Sequence, residues 1–99
     1  MKKDEIVCVA TFTAKDGKAN ELQEAMYALI EPTRKEAGCI RYELNQSLDN
    51  PNIFTMIERF KDKDAFESHS NQPHLENFKE NAIKDLVKSM SINLYNELI

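Results

Sequence analysis

Two stretches of this 99-residue chain, Ile6 to Thr13 and Ile53 to Phe60, alternate with a strand period yet are largely apolar on both faces. The first divides into Ile6, Cys8, Ala10, Phe12 and Val7, Val9, Thr11, Thr13. The second divides into Phe54, Met56, Glu58, Phe60 and Ile53, Thr55, Ile57, Arg59. A strand of this kind has to be covered on both sides. That requirement limits what the rest of the chain can build.

Between them, Lys15-Asp16-Gly17-Lys18 reads as a turn, with Gly17 free to take a positive φ. A helical stripe of Leu22, Met26, Leu29, Ile30 and Thr33 follows from Ala19, and Pro32 inside it predicts a kink or local break. Gly38, after Glu36-Ala37, stands where a helix C-terminus favours glycine. Ile40 to Leu48 alternates Ile40, Tyr42, Leu44 against Arg41, Glu43, Asn45, and Asp49-Asn50-Pro51-Asn52 is a strong turn. After Phe60, Asp62 or Asp64 can cap a helix through Ser70, and Pro73 can start another turn. Leu75, Phe78, Ala82 and Leu86 continue a helical core stripe, and Met90, Ile92, Leu94 mark a last strand.

The order β-α-β-β-α-β predicts one α+β domain over residues 1–99, a ferredoxin-like sandwich with an antiparallel sheet and helices on one face. No element is left to cover the sheet's far side. A second copy stacked sheet to sheet would cover it, so a homodimer is expected, with a pocket between each sheet and its helices.

Thirteen basic and seventeen acidic side chains give a net charge of −4, which disfavours nucleic acid and anionic membrane as partners. No apolar run approaches the roughly 20 residues of a membrane span, and the first residues lack a signal-peptide core, so the expected location is the cytoplasm. Cys8 and Cys39 form no Cys-x-x-Cys pair and read as small buried hydrophobes. There is no glycine-rich phosphate loop or nucleotide fingerprint, and no cofactor is expected.

The chemistry concentrates after the third strand. Glu58 lies on an apolar strand face, where burial would raise its pKa. His69 and His74, the only histidines, flank a break in the following helix. These three are the candidate catalytic residues: an imidazole to take a proton near neutral pH, a carboxyl of raised pKa, and a second imidazole to donate to a substrate oxygen. Tyr42 and Arg34 are candidates for orienting polar groups. Met56 joins the binding set by sharing the face of Glu58, although Met26, Met56 and Met90 also suit plain core filling. Read structurally, Glu58 pairs with an arginine or caps a helix, His69 closes the helix–sheet seam, and His74 caps the turn begun by Pro73. A metal held by His69, His74 and Glu58 is disfavoured, since an i, i+5 interval puts the imidazoles about 140° apart on an unbroken helix.

Gly38-Cys39-Ile40-Arg41-Tyr42-Glu43-Leu44, Asp49-Asn50-Pro51, Ile57-Glu58-Arg59-Phe60, and Ala65-Phe66 with His69 and Pro73-His74 together resemble the antibiotic biosynthesis monooxygenase family. Glu31-Pro32-Thr33-Arg34-Lys35-Glu36 is similar to the end of that family's first helix. The resemblance implies a dimeric α+β barrel and a small-molecule substrate. It implies oxygenation of a small aromatic, quinol or polyketide-like compound by O₂ without a cofactor. Phe60 stands where monooxygenase members often carry Trp, losing an indole donor but keeping an apolar wall for substrate. Heme degradation does not fit, because the chain has no Trp and Ala10 or its neighbours occupy the position of that branch's first-strand Asn. The run Glu-Arg-Phe-Lys-Asp and the ending Asn93-Leu94-Tyr95-Asn96-Glu97-Leu98 also look similar to isomerases of phosphorylated autoinducer-2. That isomerase and a non-catalytic binding module are the alternatives. A binding module would tie Glu58 into a salt bridge and keep both histidines out of the pocket.

Overall fold

The computed structural model describes residues 4–99. Strand β1 (Ile6–Ala14) leads to helix α1 (Ala19–Arg34), then strands β2 (Cys39–Gln46) and β3 (Ile53–Phe60). Helices α2 (Lys63–Ser70) and α3 (Pro73–Asn77) follow, the latter running into a π-helical turn at Phe78–Ile83 and a short α4 (Lys84–Leu86), before strand β4 (Val87–Tyr95). The sheet order is β2-β3-β1-β4 with every neighbour antiparallel, a ferredoxin-like α+β fold.

Alternation decides which side chains enter the core. Cys8, Ala10, Phe12 and Ala14 of β1 and Phe54, Met56 and Phe60 of β3 are buried against Leu22, Met26 and Leu29 of α1 and Phe78 and Ala82 of the π-helical turn. Each large side chain removed from water in this way contributes roughly 1.5–3 kcal/mol. Glu58 falls in the same inward row and is buried with it. The opposite row (Val7, Val9, Ile53, Ile57) is half-buried and lies on the face away from the core that the described helices form.

Several local expectations change. Helix α1 continues through Pro32 to Arg34 without a break. The ring forfeits one hydrogen bond, to the Ala28 carbonyl a turn earlier, and buried Leu29 and Thr33 hold that turn on the sheet. Strand β2 ends at Gln46 rather than Leu48, and a bulge between Cys39 and Arg41 leaves Ile40 exposed instead of inward. Among the described glycines, Gly17 alone has a positive φ, +75°. Gly38 is needed for another reason, because a Cβ there would collide with the Ala65 side chain of α2. Strand β4 starts at Val87, earlier than the alternation from Met90 suggests. Asp62 does cap α2, its Oδ1 accepting from the Ala65 N–H at 2.8 Å. The chain then breaks at Asn71-Gln72, before Pro73 opens α3 as its first residue.

Candidate active site

Strand register places the first group. Glu58, in β3, is directly opposite Cys8 of β1 on one side and Tyr42 of β2 on the other. All three side chains face the helices and are buried, Glu58 being 5% exposed. Burial pushes the Glu58 carboxyl up to about 8, the Glu36 charge pushes the same way, and a hydrogen bond donated by the Cys8 thiol offsets part of the rise. Burial and the neighbouring Glu58 raise the Cys8 thiol in turn, to about 12, so it is an inert donor. The Tyr42 phenol is likewise raised by burial and by Glu58, and stays neutral.

The last turn of α2 delivers the second group. His69 is 3% exposed, its ring 4.7 Å from that of Phe60 at an interplanar angle of 34°, and edge-on to Tyr42 at 5.4 Å. Its Nε2 lies 3.8 Å from Glu58 Oε1. Burial lowers its pKa against the opposing pull of Glu36. Glu58 therefore holds its proton above the usual carboxylate range, while His69 gives its proton up below the usual imidazole range. Environments that separate two titrating groups in this manner are typical of acid–base pairs.

A cavity of about 180 Å³ lies between sheet and helices, and both Glu58 and His69 line it. Its remaining walls are mainly apolar, including Phe12, Met56, Phe66, Leu75, Ile83 and Tyr42. Met90 and Ile92 of β4 line it too and are themselves substantially exposed, so they form its rim. Lys79 is the one lysine or arginine among the lining residues described, and it donates to the Ser70 carbonyl at 2.7 Å and pairs with Glu76 at 3.3 Å.

His74 lies outside this cavity. Its Nε2 is 2.8 Å from Glu36 Oε2, the same oxygen that lies 3.0 Å from His69 Nδ1. Glu36, just beyond α1, thus joins the two imidazoles. In the sequence Glu36 belongs to a helix stop and to the family-like segment Glu31–Glu36, and neither signal marks it as a partner of the two histidines. Glu36, His69 and His74 present one donor atom each within 4.8 Å of one another, a set chemically able to hold a divalent cation. That set contains Glu36 in place of Glu58. Its spacings are also those of ordinary N–H···O hydrogen bonds.

A model of the antibiotic biosynthesis monooxygenase family matches residues 5–81. The chain belongs to that family. Among solved structures, a Shewanella oneidensis protein is 41% identical at a TM-score of 0.94, covering 96% of this chain and 92% of its own. A Pseudomonas aeruginosa protein is 32% identical at 0.93, covering 100% and 99%. SnoaB, a cofactor-independent oxygenase from Streptomyces nogalater, shares the fold at a TM-score of 0.84 with 23% identity, over 97% of this chain and 95% of its own. A candidate monooxygenase of Bacillus subtilis, YcnE, is 30% identical over 74% of this chain and 77% of its own. An uncharacterised Synechocystis protein is 29% identical over 93% of this chain, which spans 63% of that relative's length.

Within this family member the remaining sequence candidates sort by position. Tyr42 and Met56 line the cavity. Phe60 lies behind His69 rather than in the wall, fully buried and packed on the imidazole and on Phe66. Arg34 is turned away, donating through Nε at 3.1 Å and Nη2 at 2.8 Å to the backbone carbonyl of Tyr42, which ties α1 to β2. Among the described residues Glu58 has His69 as its ionic neighbour and no arginine; Arg59, next in sequence, pairs with Glu5 and Glu97 on the other side of the sheet.

Proposed function

We propose that this protein is a cofactor-independent monooxygenase that oxidises a one-ring phenol or quinol with O₂. The reading is carried by one observation: a buried carboxyl and a buried imidazole, their proton affinities shifted in opposite directions, meet 3.8 Å apart in the wall of an apolar cavity. The cavity volume of about 180 Å³ suits a single aromatic ring, since a pocket of roughly 150 Å³ accommodates benzene. Larger substituents would project past Met90 and Ile92.

Neutral His69 accepts the substrate hydroxyl proton at Nε2, leaving an electron-rich anion. The anion passes one electron to O₂, and the two radicals combine to form a C–O bond and a peroxide anion. His69 returns its proton to that peroxide. Loss of water, taking the ring hydrogen from the oxygenated carbon, leaves a quinone carbonyl, so phenol and O₂ balance against quinone and water. Glu58, protonated below about pH 8, donates to the substrate's second oxygen or to the developing peroxide. The apolar walls exclude water that would otherwise quench the anion.

Support for the isomerase alternative is weaker, because Lys79 is the one lining cation described and it is already engaged, leaving little to receive a phosphate. The working protein is proposed to be a cytoplasmic homodimer. Its sheets would stack through the row of Val7, Val9, Ile53 and Ile57, on the face away from the core that the described helices form. No described helix is long and apolar enough to cross a membrane.

The test is oxygen uptake with a panel of one-ring quinols and hydroxyquinones, aerobic against anaerobic, with chelator present and with His69→Ala alongside. Uptake that resists chelator and falls by about 10²–10⁴-fold in the variant is expected. Turnover of a phosphorylated ligand with no oxygen consumed would overturn the proposal in favour of isomerisation.

A further inference from the structure

We infer that Glu36 is a positioning residue that fixes which nitrogen of His69 carries the proton, and that His74 acts through Glu36 rather than on the substrate. An imidazole can serve as base only at the nitrogen lacking a proton, and the hydrogen bond made by its other nitrogen selects the tautomer. His69 Nδ1 lies 3.0 and 3.2 Å from the two Glu36 oxygens, and a carboxylate accepts only. The proton therefore sits on Nδ1. Nε2, on the opposite side of the ring, is left with its lone pair toward Glu58 and the cavity. When Nε2 takes up a substrate proton, the resulting imidazolium already has a carboxylate on its far side.

His74 completes the arrangement from outside. Its Nε2 donates to Glu36 Oε2 at 2.8 Å, so the oxygen is held from two directions and the carboxylate cannot swing away from His69. His74 is absent from the cavity wall, which leaves a direct contact with substrate without geometric support. The other titrating or charged groups bearing on His69 are Glu58 from β3, Tyr42 from β2 and Lys79 from the π-helical turn. None of them is placed within hydrogen-bonding distance of Nδ1.

The inference deepens the monooxygenase reading and rests on it for its catalytic consequence, but not for the tautomer. Nitrogen-15 correlation spectra of the histidine side chains read the tautomer without substrate. In the wild type, His69 should show a protonated Nδ1 and a bare Nε2. Glu36→Gln offers an amide N–H in place of one oxygen, and a substantial Nε2–H population should appear. Glu36→Asp, which restores a carboxylate, should return the signal toward wild type. On a substrate that is turned over, Glu36→Gln should lower kcat by about 10²–10⁴-fold with KM within about twofold, by analogy with orienting carboxylates elsewhere. His74→Ala should lower kcat roughly tenfold, as loss of an outer hydrogen-bond partner commonly does.

A wild-type His69 protonated at Nε2, or a tautomer unchanged in Glu36→Gln, would overturn the inference even if the enzyme consumes oxygen. Failure of every phenol to react, with the tautomer as described, would instead refute the proposed reaction and leave the role of Glu36 in place. A rise in KM with kcat retained in His74→Ala would show that His74 touches substrate after all.

Discussion

Glu58 and Arg59 are neighbours in β3, yet the pleat sends them to opposite sides of the sheet and into opposite electrostatic situations. Arg59 is partly exposed and pairs with Glu5 at 2.9 Å and Glu97 at 3.0 Å. Glu58 is buried, with a thiol, a phenol and an imidazole around it and, among the described residues, no lysine or arginine paired with it. The first arrangement fastens the start of β1 and the residues after β4 to the middle of the sheet. The second keeps a proton on a carboxyl at neutral pH, at a cost in stability that a well-paired residue would not incur. Strain of this kind is expected where a group is held ready for proton transfer.

The contrast can be broken from either side. The largest effect should come from the inward row. Phe60→Ala removes the surface on which the His69 ring rests and opens a core cavity, and should cost about 3–5 kcal/mol in urea denaturation. If the loss is under about 1 kcal/mol, the imidazole is positioned by Glu36 alone.

Glu58 should produce a smaller effect with a distinctive pH dependence. Its pKa is raised from 4.5 to about 8 in the folded state, so the folded protein holds a proton that the unfolded chain has released. The stabilisation from this group is complete below about pH 4.5 and is lost as pH rises through about 8, by an amount on the order of a few kcal/mol. Glu58→Gln should flatten that alkaline decline, checked by thermal unfolding between pH 5 and 9. His69 contributes in the opposite sense: its lowered pKa means stability is present above its ordinary value near 6.5 and lost as pH falls through the folded-state value. A wild-type curve with no alkaline slope that the Gln variant removes would argue that Glu58 has a cationic partner in solution.

The smallest effect belongs to the paired side. Arg59→Met should cost about 1 kcal/mol or less, diminishing with added salt, because partly exposed ion pairs are weak and screened. A larger, salt-insensitive loss would place Arg59 inside a buried interface, as sheet-to-sheet association would produce.

Much of the fold was legible because it rests on periodicity. The bounds of β3, the helical stripe of α1, the Asp62 cap and the positive φ of Gly17 each follow from a local rule. Local rules fail where tertiary packing overrides them. Pro32 does not interrupt α1 because buried Leu29 and Thr33 hold its turn on the sheet, and Ile40 leaves the inward row because a bulge absorbs it. Gly38 suggested a helix cap and turned out to make room for Ala65. For the candidate site, the pleat placed Glu58 inward and an apolar row predicted its raised pKa, both readable from the chain. Nothing in the spacing of His69 and His74 revealed that one lines the cavity and the other does not.

By itself, then, the sequence determined the order of elements, the faces of its strands, and a carboxyl condemned to an apolar row, since those depend on residues two to four positions apart. Only the tertiary structure decided that Glu36, 33 positions before His69 and 38 before His74, stands between them. The break at Asn71-Gln72 turns the second imidazole out of the line of the first helix, and the close approach allowed by Gly38 brings the end of α1 against α2. Hydrogen bonds across such separations are set by how layers pack, and no local pattern encodes them.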